Sequence, residues 1–567
     1  MAGCTAIALK YVRYRFHTGR ESRAIFSIRS LLSWALVCLL AACSPGESNV
    51  DRGNREGILH YGNGTEPQGL DPHVVTGVPE HHIIVALFEG LATKNPYTLE
   101  PEPGVAQRWE ISEDGRVYTF YLNPQARWSN GDPVLASDVV WSWQRALSPV
   151  MGNQYAYMLF PVLNAEAYAT GKLEDFGEVG IEEIDERTLR VTLNAPTPYF
   201  LQLLDHYSTF PVHRATIEKY GSATDRFTPW TRVENIVGNG PFVLTEWKLN
   251  RRLRVEKSPT YWDRDRVRLN GVVYYPTENA TSEERMFRAN QLHVTQTIPL
   301  GKIPVYREMP DSPFVNAPYL GSYFYRLNTT VAPLDDARVR RALALAIDRE
   351  KLNATVMHNV NVPAYSITPP DTLGYFPPKL LGYDVDQAQR LLAEAGYPDG
   401  AGWPGLELLY NTNEDHRKVA VALQQMWKTA LNIDITLTNQ EWKVYLDSVS
   451  QMNYQMARAG WIGDYVDANS FLDMFVCGGG NNHTGYCDPA YDELILRRAP
   501  QANSRQERYA LFFEAESMLM EQVPLIPLYT YTSKKLVHPS VRGLPSNLMD
   551  ALNLKYVWLE PEAEAPE

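Results

Sequence analysis

The spacing of apolar residues predicts a series of helices in the second half of the chain. Residues 335–350 begin at an aspartate that can cap a helix, and apolar side chains such as Val339 and Leu343 follow at helical spacing. Residues 386–398 predict a second helix, which ends at a glycine with a proline just beyond it. Residues 416–430 predict a third helix with one apolar stripe.

Strand patterns lie between and before these helices. Residues 116–122 predict a strand, residues 188–194 alternate apolar and polar side chains, and residues 433–438 predict a strand directly after the third helix. Residues 137–147 predict a helix with Ser137 at its N-cap. Helix and strand alternate over much of the second half, which indicates an α/β domain.

The N-terminus has the pattern of an export signal. Six basic residues precede an apolar run of about a dozen residues, which is too short to span a bilayer but suits a signal peptide over residues 1–42. The run ends in Leu-Ala-Ala-Cys, and this resembles the lipobox of bacterial lipoproteins, where Cys43 would carry the lipid. An ordinary secretory signal with a chance cysteine is the alternative. We expect residues 43–56 to be a polar, flexible linker to a lipid anchor in the cell envelope.

Charge and cysteine usage narrow the function classes. The net charge is −13, and the basic signal region makes the remainder more acidic still, so the surface is a poor match for nucleic acid. Cys477 and Cys487 flank a short glycine-rich loop. In an oxidising compartment they can form a disulfide, with two free thiols as the alternative. A metal site at these cysteines would need two more ligands nearby, and His483 alone is not enough.

Catalytic signatures are missing from the sequence. It contains no GxSxG, P-loop, HExxH, CxxC or GxGxxG pattern. His73, His81 and His82 are close in sequence, but adjacent histidines at a helix start point to different faces, so we expect solvated or capping roles rather than a metal site. We therefore expect neither an enzyme, nor a metal, nor a cofactor.

Residues 457–472 place one cation, Arg458, and one anion, Asp464, in an apolar segment rich in glycine. Three explanations remain open from the residues themselves. The two charges form a catalytic pair, they form an internal salt bridge, or each meets a charge that belongs to a bound molecule.

Several motifs occur together in an order typical of one family. They are "GLDPH" (69–73), "SPTYW" (258–262), "DDARVRRALALAIDRE" (335–350), "LLAEAGYP" (391–398), "NQEW" (439–442) and "ARAGWIGDYVDANSFL" (457–472). With the lipobox, the chain resembles the extracytoplasmic solute-binding proteins of peptide ABC transporters from about residue 57 to 560.

The resemblance implies an α/β, two-lobed periplasmic-binding-protein fold of the large peptide-binding type, with an extra α+β domain in the N-terminal lobe. The first lobe would comprise residues 57–88, 213–320 and 532–560, the extra domain residues 89–212, and the second lobe residues 321–531. The two chain crossings between the lobes would form a hinge.

The resemblance also implies where a ligand lies. An extended peptide would pair with strand backbone on both sides, at Gly460, Trp461 and Ile462, an expected edge strand, and at Thr76, Gly77 and Val78. Pocket-lining aromatics would be Tyr155 and Trp442, with core packing as the alternative.

Charged residues would then hold the two ends of the peptide. Asp464 matches the carboxylate that binds the α-ammonium, with pairing to Arg458 as the alternative. Arg458 and His416 match positions near the ligand carboxylate, and His416 has an exposed surface histidine as its alternative.

The chain departs from the family pattern at two places. Val449 and Met357, the latter next to His358, occupy positions where other cations are expected, which suggests a shifted or narrower length preference. Gly321 and Ile462 stand where a disulfide crosses the second lobe in the family.

From these features we expect a monomer that binds extended oligopeptides between closing lobes and delivers them to the permease subunits of an ABC transporter. The alternatives are the same fold with another cargo, such as a murein peptide, haem or another amino-bearing solute, or an exported peptide hydrolase.

Overall fold

The computed structural model describes residues 47–502 and 504–560. The predicted signal peptide, residues 1–42, and the predicted lipid-bearing Cys43 lie outside the described residues. The strands are β1 Ile58–Gly62, β2 Ala92–Lys94, β3 Pro101–Pro103, β4 Ala106–Ile111, β5 Val117–Leu122, β6 Ile181–Asp185, β7 Thr188–Thr192, β8 Phe242–Lys248, β9 Arg252–Lys257, β10 Gly271–Tyr275, β11 Phe314–Leu327, β12 Val362–Pro363, β13 Leu406–Asn411, β14 Ile435–Gln440, β15 Met456–Ile462, β16 Leu525–Leu536, β17 Val541–Arg542 and β18 Trp558–Leu559.

The α-helices are α1 Asn49–Glu56, α2 Val78–Leu87, α3 Ala136–Leu147, α4 Ala165–Ala169, α5 Phe200–Leu203, α6 Arg214–Tyr220, α7 Ala280–Arg288, α8 Ile303–Glu308, α9 Ala337–Leu345, α10 Arg349–Thr355, α11 Val385–Glu394, α12 Glu414–Leu431, α13 Trp442–Ser450, α14 Asn469–Leu472, α15 Pro489–Asp492 and α16 Arg505–Gln522. Within the described ranges, no helix combines the length and the apolar character needed to cross a membrane.

Three larger sheets, together with the two-stranded pairs β2-β3 and β17-β18, organise the described elements. A four-stranded sheet has the order β1-β10-β9-β8, a second four-stranded sheet the order β4-β5-β7-β6, and a six-stranded sheet the order β12-β16-β11-β15-β13-β14. β1 pairs parallel with β10, and β13 pairs parallel with both β14 and β15, while the other strand pairs are antiparallel. The mixture of parallel and antiparallel pairs with covering helices is an α/β arrangement.

The apolar stripe predicted on α12 packs into the core beside the six-stranded sheet. Val419, Leu423 and Trp427 have no exposed surface. The indole N–H of Trp427 donates to the carbonyl of Leu343 at 2.9 Å, so its one polar atom is satisfied inside the core.

Two helix predictions need correction. Residues 335–350 form two helices, because the Asp348 carboxylate accepts the Lys351 N–H and caps α10, which begins four residues after the end of α9. Ser137 is not an N-cap but the second residue of α3. Leu135 takes the cap position, and its N–H donates to the Asp138 carboxylate.

The predicted flexible linker is also partly wrong. Residues 49–56 form α1, with the Ser48 hydroxyl accepting the Asp51 N–H at its start. Val50 is buried, and its N–H donates to the Asn290 carbonyl at 2.9 Å. The buried side chain and backbone hydrogen bond of Val50 therefore hold α1, which is otherwise polar, against the rest of the protein.

Two long paired strands cross the predicted boundary between the lobes. β11 and β16 pair from Phe314↔Leu536 to Arg326↔Leu525, and the register is interrupted between Pro318 and Ser322. The predicted crossings, at residues 320–321 and 531–532, fall at this interruption. The strands supply a continuous connection in which the pairing of β11 with β16 is interrupted, while Gly321 of β11 still pairs with Ile462 of β15.

The motif "GLDPH" contributes a buried ion pair. Asp71 receives hydrogen bonds from Arg145 at 2.6 and 3.0 Å and from Trp230 at 3.3 Å, and both charged residues are almost completely buried. Burial raises the pKa of Asp71, but Arg145 outweighs it and holds that pKa below its usual value.

Replacing Asp71 by Asn is expected to lower the free energy of unfolding by about 3–5 kcal/mol, because Arg145 is left buried and unpaired. Urea denaturation measures this. Glu182→Gln is the control, since its pair with Arg190 is exposed and contributes at most about 1 kcal/mol. Equal effects of the two substitutions would contradict the assignment.

Candidate functional site

One cavity of about 880 Å³ gathers every residue that the sequence predicted for a ligand site. This size is at the upper end of the range for small-molecule pockets. The predicted residues on its walls are Thr76, Gly77, Val78, Tyr155, His416, Trp442, Arg458, Gly460, Trp461, Ile462 and Asp464.

Strand β15 forms part of one wall, and it is not an edge strand as predicted. β11 pairs with it from Met456 to Ile462, and β13 pairs with Met456 and Ala457. Beyond Ala457 no ladder pairing is formed on the β13 side. Residues 458–462 therefore have one neighbouring strand, and their other edge is open.

The open edge carries the backbone groups of Gly460 and Ile462. The N–H of Gly463 donates to the Leu320 carbonyl of β11 at 2.8 Å. The carbonyl of Arg458 instead accepts from the Tyr445 hydroxyl, on the edge of β15 that faces away from β11. Because alternate residues of an antiparallel strand direct their N–H and C=O groups to opposite edges, those of Gly460 and Ile462 face away from β11. The cavity wall thus offers unpaired ladder positions.

The second predicted backbone segment is not a strand. Gly77 is extended, but it is the N-cap of α2, and Val78 is the first residue of that helix. The Gly77 carbonyl is already used by the His81 N–H. A Cβ at Gly77 would lie 2.0 Å from Glu80 Oε2 and 3.1 Å from the Trp442 ring, so this position requires glycine for close packing.

Asp464 lies in the cavity as a carboxylate without a cationic partner. Its side chain is 8% exposed, it accepts the Tyr157 hydroxyl at 3.0 Å, and its backbone N–H donates to the Ser470 hydroxyl at 2.8 Å. Burial raises the pKa of Asp464 to about 7, although Tyr157, Lys94 and Ser470 oppose the shift.

The cations around Asp464 do not neutralise it. His206 Nε2 lies 3.6 Å from Asp464 Oδ1, but burial lowers the pKa of His206 well below 6.5, so the ring is neutral. Lys94 pairs with Asp205 at 2.9 Å. Arg458 and Asp464 form no ion pair with each other, so a charge from outside the chain can meet this carboxylate.

Arg458 is held by aromatic side chains rather than by a carboxylate. It donates to the Tyr531 hydroxyl at 2.5 Å and to Asn411 Oδ1 at 3.4 Å, and its guanidinium lies 4.8 Å from the Tyr323 ring centre. Its Nε is buried without a hydrogen-bond partner. The residue is a fixed cation with unused donor capacity.

His416 lies beside Arg458 and is partly buried rather than an exposed surface histidine. Its Nδ1 is 3.4 Å from the Tyr323 hydroxyl. Burial, and then the charges of Arg458 and Lys534, hold the pKa of His416 well below 6.5. At neutral pH it is therefore a neutral hydrogen-bonding group, and the positive charge near it comes from Arg458 and Lys534.

Aromatic rings form the rest of the wall near Asp464. Tyr155 lies 6.2 Å from Trp461 in a stacked arrangement and 4.5 Å from His206. The Trp461 indole donates to the Ser470 carbonyl at 2.5 Å, which fixes the ring. Trp442 stacks on Tyr445 at 5.9 Å elsewhere on the wall. Tyr155 and Trp442 thus both pack and line the cavity.

The loop between the two late cysteines also reaches the cavity. The structure joins Cys477 and Cys487 by a disulfide. Within the loop, Asn481 donates to the Gln154 carbonyl at 3.2 Å, and His483 lines the cavity. The loop therefore contacts the segment that carries Tyr155.

His73 and His82 are buried and cap no helix, contrary to the predicted solvated or capping roles. His73 is fully buried and its Nε2 lies 3.0 Å from the Phe210 carbonyl, while His82 Nδ1 lies 3.2 Å from Asn63 Oδ1. Burial lowers the pKa of His73 to about 4 and of His82 to about 3. In the part of the chain that is described, no group of three or more potential ligands could hold a metal ion.

Several residues that line the cavity or contact its lining were missed by sequence reasoning. Tyr157 and His206, which contact Asp464, lie in segments with no chemical motif. Tyr531 could have been found, since Tyr529 and Tyr531 share one face of β16. Arg326 could also have been found, because it is a lone cation in the otherwise apolar end of β11.

Comparison with known proteins matches this architecture. Residues 100–483 match the family model described as "Bacterial extracellular solute-binding proteins, family 5 Middle". The chain is 38% identical to the periplasmic oligopeptide-binding protein OppA of Escherichia coli K12 over 492 residues, 85% of this chain and 88% of the relative. A structure of Haemophilus influenzae OppA in complex with the peptide RPPGFSPFR has a TM-score of 0.85 at 33% identity, covering 89% of this chain and 99% of that one.

Two structures of the murein tripeptide-binding protein MppA bear on the state of the cleft. The chain matches the Escherichia coli MppA structure with a TM-score of 0.84 at 35% identity, covering 88% of this chain and 98% of that one. It matches the unliganded open form of MppA with a TM-score of only 0.60 at 34% identity, covering 91% of this chain and 99% of that one. The relative position of the lobes here thus differs from that open form.

Two hydrogen bonds join segments that are far apart in sequence at the cavity, from the Tyr157 hydroxyl to Asp464 and from Asn481 to the Gln154 carbonyl. The fold is the two-lobed α/β fold of periplasmic binding proteins. The chain belongs to family 5 of the bacterial extracellular solute-binding proteins.

Proposed function

We propose that this protein captures an extended oligopeptide in the cavity and presents it to the permease subunits of a peptide ABC transporter. The observation that carries the proposal is the buried Asp464 carboxylate, which has no cation, at the end of an open strand edge. A peptide α-ammonium supplies the missing charge, and the peptide backbone supplies partners for Gly460 and Ile462.

The other end of the peptide lies toward Arg458. Its unused donor capacity and the neighbouring His416 suit a ligand carboxylate, directly or through water. Thr76, Gly77 and Val78 contact the ligand through packing more than through pairing, and Tyr155, Trp442 and Trp461 provide flat surfaces for varied side chains. The protein makes and breaks no bond; it closes on the ligand and releases it unchanged.

Closure follows from movement of two lobes about β11 and β16. We assign residues 57–88, 213–320 and 532–560 to the first lobe, 89–212 to its extra domain and 321–531 to the second lobe. A ligand that contacts both lobes stabilises the closed arrangement by its differential affinity.

The mature protein is an exported, lipid-anchored monomer under this proposal, with Cys43 as the first residue after removal of residues 1–42. Labelling with a fatty-acid analogue in a bacterial host tests the anchor. Label should be incorporated by the natural sequence and lost in Cys43→Ser. Label retained in the variant would place the anchor elsewhere.

Isothermal titration with peptides of two to six residues tests the function. Binding at micromolar or lower dissociation constants is expected for at least one length. Binding no tighter than millimolar for every peptide, together with tight binding of a sugar, opine or metal chelate, would show that the cargo is different.

Peptide affinity is expected to rise about tenfold per pH unit from pH 5 to 6.5 and to level off near pH 7. The reason is that the pKa of Asp464 is raised to about 7, so below that pH the empty site is protonated and cannot pair with an ammonium. Titrations across this range measure the slope, with Asp464→Asn as the control that removes it.

Burial also shifts the neighbouring titratable groups. Burial lowers the pKa of His206 well below 6.5, and burial, then Asp464, raises the pKa of Asp473 well above its usual value. The Asp464→Asn control separates their titration from that of Asp464. Lys94 keeps its ion pair with Asp205. Affinity that falls between pH 5 and 7 would contradict the role of Asp464.

A further inference from the structure

We propose that Arg326 and His483 form a second carboxylate-binding subsite in the cavity, separate from Arg458. This subsite rests on the proposed function and specifies it further: the protein takes peptides that present a carboxylate at this position. The carboxylate comes either from the C-terminus of a longer peptide or from an acidic side chain.

Arg326 is a buried cation without a counter-charge. It is 9% exposed and lines the cavity. Its Nη1 lies 2.9 Å from His483 Nδ1, while its Nε is buried with no hydrogen-bond partner. No Asp or Glu of the described ranges forms an ion pair with it. An unpaired buried charge is costly, and a ligand carboxylate removes that cost.

His483 completes the donor set. Because Arg326 donates to Nδ1, the neutral ring carries its proton on Nε2, where it can donate to an anion. Burial and then Arg326 lower the pKa of His483 to about 3, which is consistent with a neutral ring. One guanidinium and one neutral imidazole, hydrogen-bonded to each other, therefore line the cavity without two positive charges repelling each other.

The position of His483 is fixed by its loop. The disulfide between Cys477 and Cys487 closes the segment. The Tyr454 hydroxyl donates to the His483 carbonyl, and the next residue, Thr484, accepts the Thr329 N–H at 2.8 Å. Donors that are already positioned lose little entropy when an anion binds.

The register of the sheet separates this subsite from Arg458. Tyr325 is opposite Arg458, and Arg326 is opposite Ala457, in the pairing of β11 with β15. Residues that face each other across a ladder share one side of the sheet, and consecutive residues alternate. Arg326 and Arg458 thus extend from opposite faces of the sheet.

Apolar and aromatic side chains line the cavity together with Arg326. Among them, Tyr445 and Val449 are almost fully buried. A charge-assisted hydrogen bond is stronger in such surroundings than in water. We therefore expect the subsite to select for a carboxylate rather than for a neutral amide.

The test compares matched peptides on the wild type, Arg326→Gln and Arg326→Lys by isothermal titration. One set contains alanine peptides of three to six residues as free acids and as C-terminal amides. The other contains tripeptide amides with Glu or Gln at each position. These sets separate a terminal carboxylate from a side-chain carboxylate.

For the peptide whose carboxylate reaches the subsite, Arg326→Gln is expected to weaken binding at least tenfold, and Arg326→Lys to retain most of the affinity. The corresponding neutral peptide should bind both variants within about twofold of the wild type. The ligand-free Arg326→Gln protein should melt at the same or a higher temperature, because it has lost an unpaired buried charge; a purely structural role predicts a lower melting temperature.

Should Arg326→Gln fail to fold, His483→Ala provides the test with the same peptides, and a selective loss for the carboxylate-bearing member is again expected. Affinities that stay within twofold for every peptide in these variants overturn the subsite while leaving peptide binding intact. If the wild type binds none of the peptides, the proposed function itself fails, and the subsite with it.

Discussion

Replacing Asp464 by Asn is expected to weaken the binding of peptides with a free amino terminus about 30-fold or more. The substitution leaves the ligand ammonium buried without its counter-charge, and removing one partner of a buried charge pair costs at least about 2 kcal/mol. Isothermal titration of one well-binding peptide measures the effect. The N-acetylated form of that peptide should bind the wild type poorly and lose little further affinity in the variant.

The same substitution is expected to stabilise the ligand-free protein at pH 8. The folded-state pKa of Asp464, about 7, lies above the usual value of 3.8, so this group destabilises the fold progressively as pH rises from about 4 to 7. An amide at this position carries no charge and avoids that cost. Urea denaturation at pH 8 and pH 4 measures the difference, which should be larger at pH 8.

Asp467 provides a matched control three residues away. It is also buried, but Arg508 donates to both of its oxygens, at 2.6 and 3.0 Å. Asp467→Asn should therefore lower stability and leave peptide affinity near that of the wild type. If Asp464→Asn instead lost stability and kept its affinity, Asp464 would be a structural residue and not a ligand contact.

Replacing Gly480 by Ala is expected to hinder closure and to weaken peptide binding about tenfold or more. A Cβ at this position would lie 2.7 Å from the carbonyl oxygen and 2.9 Å from the Cα of Gln154. These atoms belong to the segment on the other side of the cavity, and backbone cannot move aside as a side-chain tip can. The closed arrangement is therefore penalised, while each lobe keeps its own packing.

Small-angle X-ray scattering with and without a saturating peptide reports this closure directly. The wild type should become more compact on adding peptide, and Gly480→Ala should stay extended at the same concentration. Gly382→Ala is the control, because a Cβ there meets no atom within 4 Å. Equal compaction of both variants would show that Gly480 does not limit closure.

Much of the secondary structure was predictable from local pattern. The stripe on α12 and the alternation in β7 were recognisable because each element buries one face. The break between α9 and α10 was not predictable, since Ala346 and Ile347 continue the apolar spacing. The next residue, Asp348, caps a new helix. A local hydrogen bond there overrides the periodicity.

Part of the site was also predictable from local sequence pattern. Asp464 and Arg458 stand out as charges in an apolar segment, and the family resemblance placed the backbone segments and aromatics beside them. Tyr157 and His206 were not predictable, because their role depends on tertiary contacts more than 250 residues away in sequence. The open edge of β15 was also hidden, since it arises only where β13 stops pairing.

The central claim is that the cargo is a peptide with a free amino terminus. The most direct measurement is mass spectrometry of the molecules released when the protein, purified from a bacterial host without denaturation, is unfolded in organic solvent. We predict a mixture of short peptides with free α-amino groups, depleted in a parallel preparation of Asp464→Asn. Release of a non-peptide compound, at equal amounts from both proteins, would contradict the claim.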